Sequence, residues 1–205
     1  MQHARRTLLA AGLLAAALPA PARALGLNPA GRAVPVPGQS APAFTLADLS
    51  GKKVSLADFR GRFVVLEWWN AECYAVNAHY DSGNMQALQA EARERDVIWL
   101  SIDSTYPGHP SFVDAATAAE MLRRWKGNQS AMLLDLDGSV ARAFGARVTP
   151  QMFVIDPRGV IVYSGAIDDQ RTVRNPKVAN NFVRAALADA LAGRPVAVTS
   201  TNPYG

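Results

Sequence analysis

Residues 63–69 read Phe-Val-Val-Leu-Glu-Trp-Trp, and no other stretch constrains the fold as strongly. Seven residues suit one strand better than a helix, and the β-branched and aromatic side chains favour the same assignment. Apolar groups stand at both odd and even positions, so both faces of this strand are covered. That places it in the middle of a sheet with helices on each side. Asn70 follows as a candidate helix cap, and the pattern predicts a helix from about Ala71 to Glu94, with a break near Asp81-Ser82-Gly83-Asn84. A capping box would carry Glu or Gln at position 73. The residue there is Cys73, the one cysteine of the chain.

Other segments arrange themselves around this strand. Phe44-Thr45-Leu46 and Lys53-Val54-Ser55-Leu56 flank a turn at Asp48–Lys52 and read as a hairpin, followed by one helical turn over Leu56–Phe59 that Gly61 ends. Val97–Ile102, Met132–Leu134 and Gln151–Ile155 read as further buried strands. Asp156-Pro157-Arg158-Gly159 is a hairpin turn that returns the chain along Val160–Tyr163. Helices are expected at Phe112–Lys126, with Met121, Leu122 and Trp125 inward, and at Val140–Phe144. A last helix is expected at Ala179–Ala192, with Val183, Leu187 and Leu191 inward. The order of elements predicts an α/β domain with a mixed sheet covered on both faces and an N-terminal hairpin.

The first 24 residues have the pattern of an export leader. Arg5 and Arg6 precede an apolar run from Leu8 to Leu18, and Ala22-Arg23-Ala24 is a small-x-small cleavage pattern. The run is too short to span a bilayer as a helix, so no stable membrane anchor is expected, and the implied location is periplasmic or secreted. The chain has 21 Lys and Arg against 17 Asp and Glu, and three of the arginines stand in the leader. The remainder is close to neutral, and no basic cluster with interleaved aromatics argues for nucleic acid. The organisation is therefore a leader at 1–24, an extended Pro- and Gly-rich segment at 25–43, one domain at 44–195 and a tail at 196–205. A single cysteine excludes an internal disulfide framework, and no motif calls for a nucleotide, another cofactor or a dedicated metal site.

Three pieces carry a family resemblance: GKKVSLADFRGRFVVLEWWNAEC, the stretch VTPQMFVIDPRGVIVYSGAIDD, and their spacing along the chain. Together they resemble the thioredoxin-like superfamily, in particular exported redoxins of the alkyl-hydroperoxide-reductase and thiol-specific-antioxidant type, over about residues 34–195. The resemblance implies a thioredoxin-like fold and thiol-dependent oxidoreductase or antioxidant activity. It places Cys73 as the nucleophile at a helix start, with Thr149 and a cis-Pro150 facing it from another loop. Glu67, six residues before the cysteine, matches the buried carboxylate position. Elementary chemistry agrees with these placements. Free N–H groups at a helix start stabilise a thiolate, a residue before proline is held extended for pairing with a substrate backbone, and a buried Glu67 would hold its proton. Asn70 could donate a bond near the sulfur. Tyr74 is the expected exposed aromatic beside the thiol, and Trp69 is expected to border the substrate. The implied partners are a protein or small-molecule disulfide, or a peroxide, together with an external reducing thiol.

The chain departs from each familiar active-site pattern. Cys73-Tyr74-Ala75-Val76 lacks the second cysteine of a dithiol motif, so a mixed disulfide formed at Cys73 waits for another thiol. Leu66 and Asn70 stand where the peroxidase pattern has proline and threonine. Asn77 stands where copper-delivery relatives have a second cysteine, leaving Cys73 with His79 or His109 as the remaining soft-metal arrangement. Relatives of this kind often continue past Pro-Tyr-Gly with a cysteine, so the resemblance implies a resolving thiol following Pro203-Tyr204-Gly205. The competing reading is a non-catalytic binding module in which Cys73 is a remnant.

Overall fold

The computed structural model describes residues 34–170, 175 and 178–205. The expected leader and residues 25–33 of the extended segment lie outside the described residues. Seven strands form one sheet: β1 (Thr45–Asp48), β2 (Lys53–Ser55), β3 (Val64–Trp69), β4 (Ile98–Asp103), β5 (Ala131–Leu134), β6 (Gln151–Ile155) and β7 (Ile161–Gly165). Their spatial order is β2-β1-β5-β4-β3-β6-β7. β3, β4 and β5 run parallel, while the β1–β2 hairpin and the β6–β7 hairpin add antiparallel edges at the two sides. The expected mixed sheet with an N-terminal hairpin is present.

β3 is central, and all six of its residues are buried. Its side chains alternate between two apolar layers, as the pleat requires. Val65 and Trp69 join a layer with Met85, Leu88, Leu122, Val183 and Leu187, supplied by α1 (Tyr74–Asp81), α2 (Asn84–Glu94), α3 (Ala115–Trp125) and α5 (Phe182–Leu191). Val64, Leu66 and Trp68 face the other layer with Phe44, Leu56, Phe153 and the short α4 (Ser139–Phe144).

Several helix starts differ from the sequence expectation, each for a local reason. The helix expected from Ala71 begins at Tyr74, and the break expected near Asp81–Asn84 is present, where Gly83 takes a left-handed conformation (φ +77°) between α1 and α2. α3 begins at Ala115 rather than Phe112, because the Asp114 carboxylate caps it by accepting the Thr117 N–H at 2.7 Å. α5 begins at Phe182 rather than Ala179, where Asn181 accepts the Arg184 N–H at 2.8 Å. Met121, Trp125 and Leu191, expected inward, are only partly buried, while Ala118 is fully buried.

Phe144 is the anchor of the second layer. Its ring meets those of Phe44, Trp68 and Phe153 at centroid distances of 6.1, 5.3 and 5.2 Å. Truncation to Phe144→Ala is expected to cost about 3–5 kcal/mol, the range for emptying a buried aromatic site. Urea unfolding should show this as a lower midpoint with an unchanged slope. A loss below about 1 kcal/mol would mean that the layer collapses onto the gap.

Candidate active site at Cys73

β3 ends at Trp69, and the chain turns before α1 begins. The turn is built by Asn70. Its Oδ1 accepts the Glu72 N–H at 2.9 Å, and its Nδ2 donates to Thr105 Oγ1 at 2.9 Å. Asn70 was expected to cap the helix. A short amide side chain also closes a turn two residues ahead, and here that competing bond is the one formed. The cap position passes to Cys73, which makes no side-chain capping bond. Its thiol instead donates to the carbonyl of Thr149 at 2.8 Å, and the residue is only partly buried. The Thr149–Pro150 peptide bond is cis. Cys73, Thr149 and Pro150 are thus brought to one place.

Glu67 lies in a different environment. It is fully buried, and four donors converge on its Oε2: Trp99 Nε1 at 2.7 Å, Ser101 Oγ at 2.8 Å, and Tyr80 OH and Gln89 Nε2 each at 3.3 Å. Its Oε1 has no hydrogen-bond partner among the described residues. Burial pushes the carboxyl above the usual carboxylate range, and the four donors offset part of that push. The same burial raises the Tyr80 phenol. Cys73 is not among the groups bonded to this carboxyl.

The two tryptophans of β3 point to opposite faces. Trp69 is 1% exposed and packs edge-on against Trp125. Trp68 donates from Nε1 to Ser104 Oγ at 3.1 Å, and Ser104 donates in turn to Asp135 Oδ2 at 2.7 Å. The Asp135 carboxylate also accepts the N–H groups of Val140 and Ala141 at the start of α4, at 3.1 and 2.9 Å. Trp68, Trp69, Asn70, Thr105, Arg147 and Thr149 contribute to the wall of a cleft of about 380 Å³, with Tyr106 and His109 at its rim. Tyr74 is 57% exposed and does not line this cleft.

His79 was named with Cys73 as part of a remaining soft-metal arrangement. It is completely buried, with Nδ1 2.8 Å from Asn84 Nδ2 and Nε2 3.1 Å from the Tyr204 hydroxyl. Both ring nitrogens are therefore engaged away from Cys73, which removes His79 from any shared metal arrangement with the thiol. Burial lowers the His79 basicity, and the nearby Asp168 carboxylate opposes that effect. Tyr204 donates to Asp168 Oδ1, and burial beside that carboxylate raises its phenol strongly. No motif or spacing in the chain pointed to this cluster.

A family model described as AhpC/TSA matches residues 37–164. The chain belongs to the AhpC/TSA family. Among curated relatives, the thiol-disulfide oxidoreductase ResA of Bacillus thuringiensis subsp. konkukian is 26% identical over 125 residues, covering 61% of this chain and 66% of the relative. The chain thus spans just under two thirds of that protein. A Mycobacterium tuberculosis protein with a provisional peroxiredoxin name is 31% identical over 135 residues, or 65% of this chain and 78% of the relative. Among solved structures, an uncharacterized conserved protein of Geobacillus kaustophilus superposes with a TM-score of 0.73 at 24% identity, covering 82% of this chain and 88% of that one. A hypothetical protein of Sinorhizobium meliloti superposes at 0.72 with 21% identity, covering 85% and 93%. These likenesses establish the thioredoxin-like fold.

The raised Glu67 carboxyl has a consequence for stability. The unfolded chain releases this proton at about pH 4.3, while the folded chain holds it to higher pH. The folded state therefore loses stability as pH rises from the unfolded value through the folded one. Glu67→Gln removes this titration. Denaturation at pH 4 and pH 7 should show the variant gaining relative to the parent at the higher pH, and parallel pH profiles would overturn this assignment.

Proposed function

We propose that this protein is an exported thiol-dependent oxidoreductase, periplasmic or secreted, with Cys73 as its single nucleophile in thiol–disulfide exchange. The observation that carries the reading is the position of the sulfur. It stands at the N-terminus of α1, on a residue that is only partly buried, 2.8 Å from the carbonyl that precedes Pro150. A remnant cysteine would be expected under the neighbouring core side chains. Cys73 packs against the apolar layer from its margin and is only partly buried.

The Cys73 thiol gives its proton to water, and the thiolate attacks a disulfide R–S–S–R′. A Cys73–S–S–R bond forms, the original S–S bond breaks, and R′–S⁻ leaves with the electron pair. An external thiol then attacks the R sulfur, forming a new disulfide and returning Cys73 to the thiolate. Thr149 and Pro150 form the opposite wall of the site, and Asn70, held by Thr105, fixes the turn that presents the cysteine. Trp69 contributes to the floor and Tyr74 to the exposed border. Disulfide is favoured over peroxide because Leu66 and Asn70 replace the proline and threonine of the peroxidase pattern.

Incubation of the native protein with oxidised glutathione is expected to add one glutathione to Cys73, detectable by mass, and excess thiol should discharge it. Cys73→Ser should show no adduct. Labelling that begins only when the protein unfolds would sink the catalytic reading and leave the binding module. The export part is checked separately, by whether the N-terminus of protein recovered from outside the cytoplasm begins after Ala24.

A further inference from the structure

Residues 199–205 return to the thiol. Thr199 accepts the Ser164 N–H at 3.0 Å, and Ser164 accepts the Thr201 N–H at 3.2 Å, so this segment extends the sheet beside the end of β7. Thr201 Oγ1 accepts the Ala166 N–H at 2.9 Å and lies 2.7 Å from the Tyr163 hydroxyl. The approach is close enough that a Cβ on Gly165 would collide with the Thr201 backbone. Three residues on, Tyr204 is 7% exposed and lodged between His79 of α1 and Asp168. Gly205 then lies on the backbone of Thr149. A Cβ at residue 205 would collide with the Thr149 carbonyl oxygen, the atom that accepts the Cys73 thiol.

Thr149 stands beyond the last residue of β6 that pairs with β3, which is Gln151 opposite Trp68. Its peptide groups are therefore where an extended polypeptide would add itself next to the cysteine. Gly205 occupies part of that place. The cleft on the Asn70 and Thr105 side is left open, and it has room for a small molecule.

We propose that residues 199–205 are a specificity strap, locked by Tyr204, that bars extended polypeptides from Thr149 and leaves Cys73 to low-molecular-weight disulfides. This rests on Cys73 being the thiol–disulfide nucleophile. The chemistry is the exchange already written, with the small disulfide as R–S–S–R′ and the strap selecting what reaches the sulfur. Tyr204 and Gly205 take no part in the exchange of bonds. They act by excluding a competitor.

The test compares exchange rates of the full chain with oxidised glutathione and with a disulfide placed within an extended synthetic peptide. Two variants loosen the strap by different routes. Tyr204→Phe removes the hydroxyl and keeps the ring, and Gly205→Ala introduces the colliding Cβ. Thermal unfolding of each shows that the fold is retained. Loss of the buried hydrogen bonds is expected to raise the peptide rate about tenfold in Tyr204→Phe, with the glutathione rate within about twofold of the parent. Gly205→Ala should shift the two rates in the same unequal way. A peptide rate unmoved in both variants, or two rates that rise together, would overturn the strap while leaving Cys73 as the nucleophile. Failure of parent and variants alike to exchange with either disulfide would overturn the nucleophile reading and the strap with it.

Discussion

The antiparallel register of β3 against β6 is the constraint on which the site depends. Leu66 opposes Phe153, Glu67 opposes Met152, and Trp68 opposes Gln151. One strand leaves this ladder just as the other enters it. The residues after Trp69 and those before Gln151 therefore emerge at the same end of the sheet. Cys73 and Thr149, 76 positions apart in sequence, meet there without any covalent tie. A slip of one residue would reverse the faces of every β3 side chain and bury Glu67 in the apolar layer of Phe144. The alternating burial of Trp68 and Trp69 in separate layers guards against that slip.

Polar groups around the site are divided between two tasks. The Glu67 cluster ties together β3, α1, α2 and β4 through Trp99, Ser101, Tyr80 and Gln89, beneath the helix that carries the thiol. The His79–Tyr204–Asp168 cluster ties that same helix to a segment from the far end of the domain. Buried polar groups cost free energy unless satisfied, and in both clusters one carboxylate oxygen has no hydrogen bond among the described residues. The last turn of helix α1 is consequently held on two sides, through Tyr80 and His79, by interactions that the apolar packing alone would not supply.

The central strand, the mixed sheet with its N-terminal hairpin and the meeting of Cys73 with Thr149-Pro150 were legible because they rest on composition, periodicity and family-like motifs. Phe63–Trp69 could hardly be anything but a buried strand, and the observed β3 differs from it by one residue. The helix starts were less legible, because Asn70, Asp114 and Asn181 are short polar residues that serve equally well in turns and caps. Only the fold decides between those uses. The Tyr204 cluster was illegible for another reason. Its members lie on α1, on the loop after β7 and in the last residues, and nothing in a single sequence records that these segments touch. The one available hint was a tyrosine at position 204 in an otherwise polar stretch.

The hydrogen bonds that run from Trp68 through Ser104 and Asp135 to the first turn of α4 join the floor of the cleft to one of its walls. A cavity braced in this way already has its bound shape. A ligand entering it would sacrifice its own freedom and little of the protein's, so discrimination among small molecules would follow fit to a fixed template rather than the ability of the protein to mould itself.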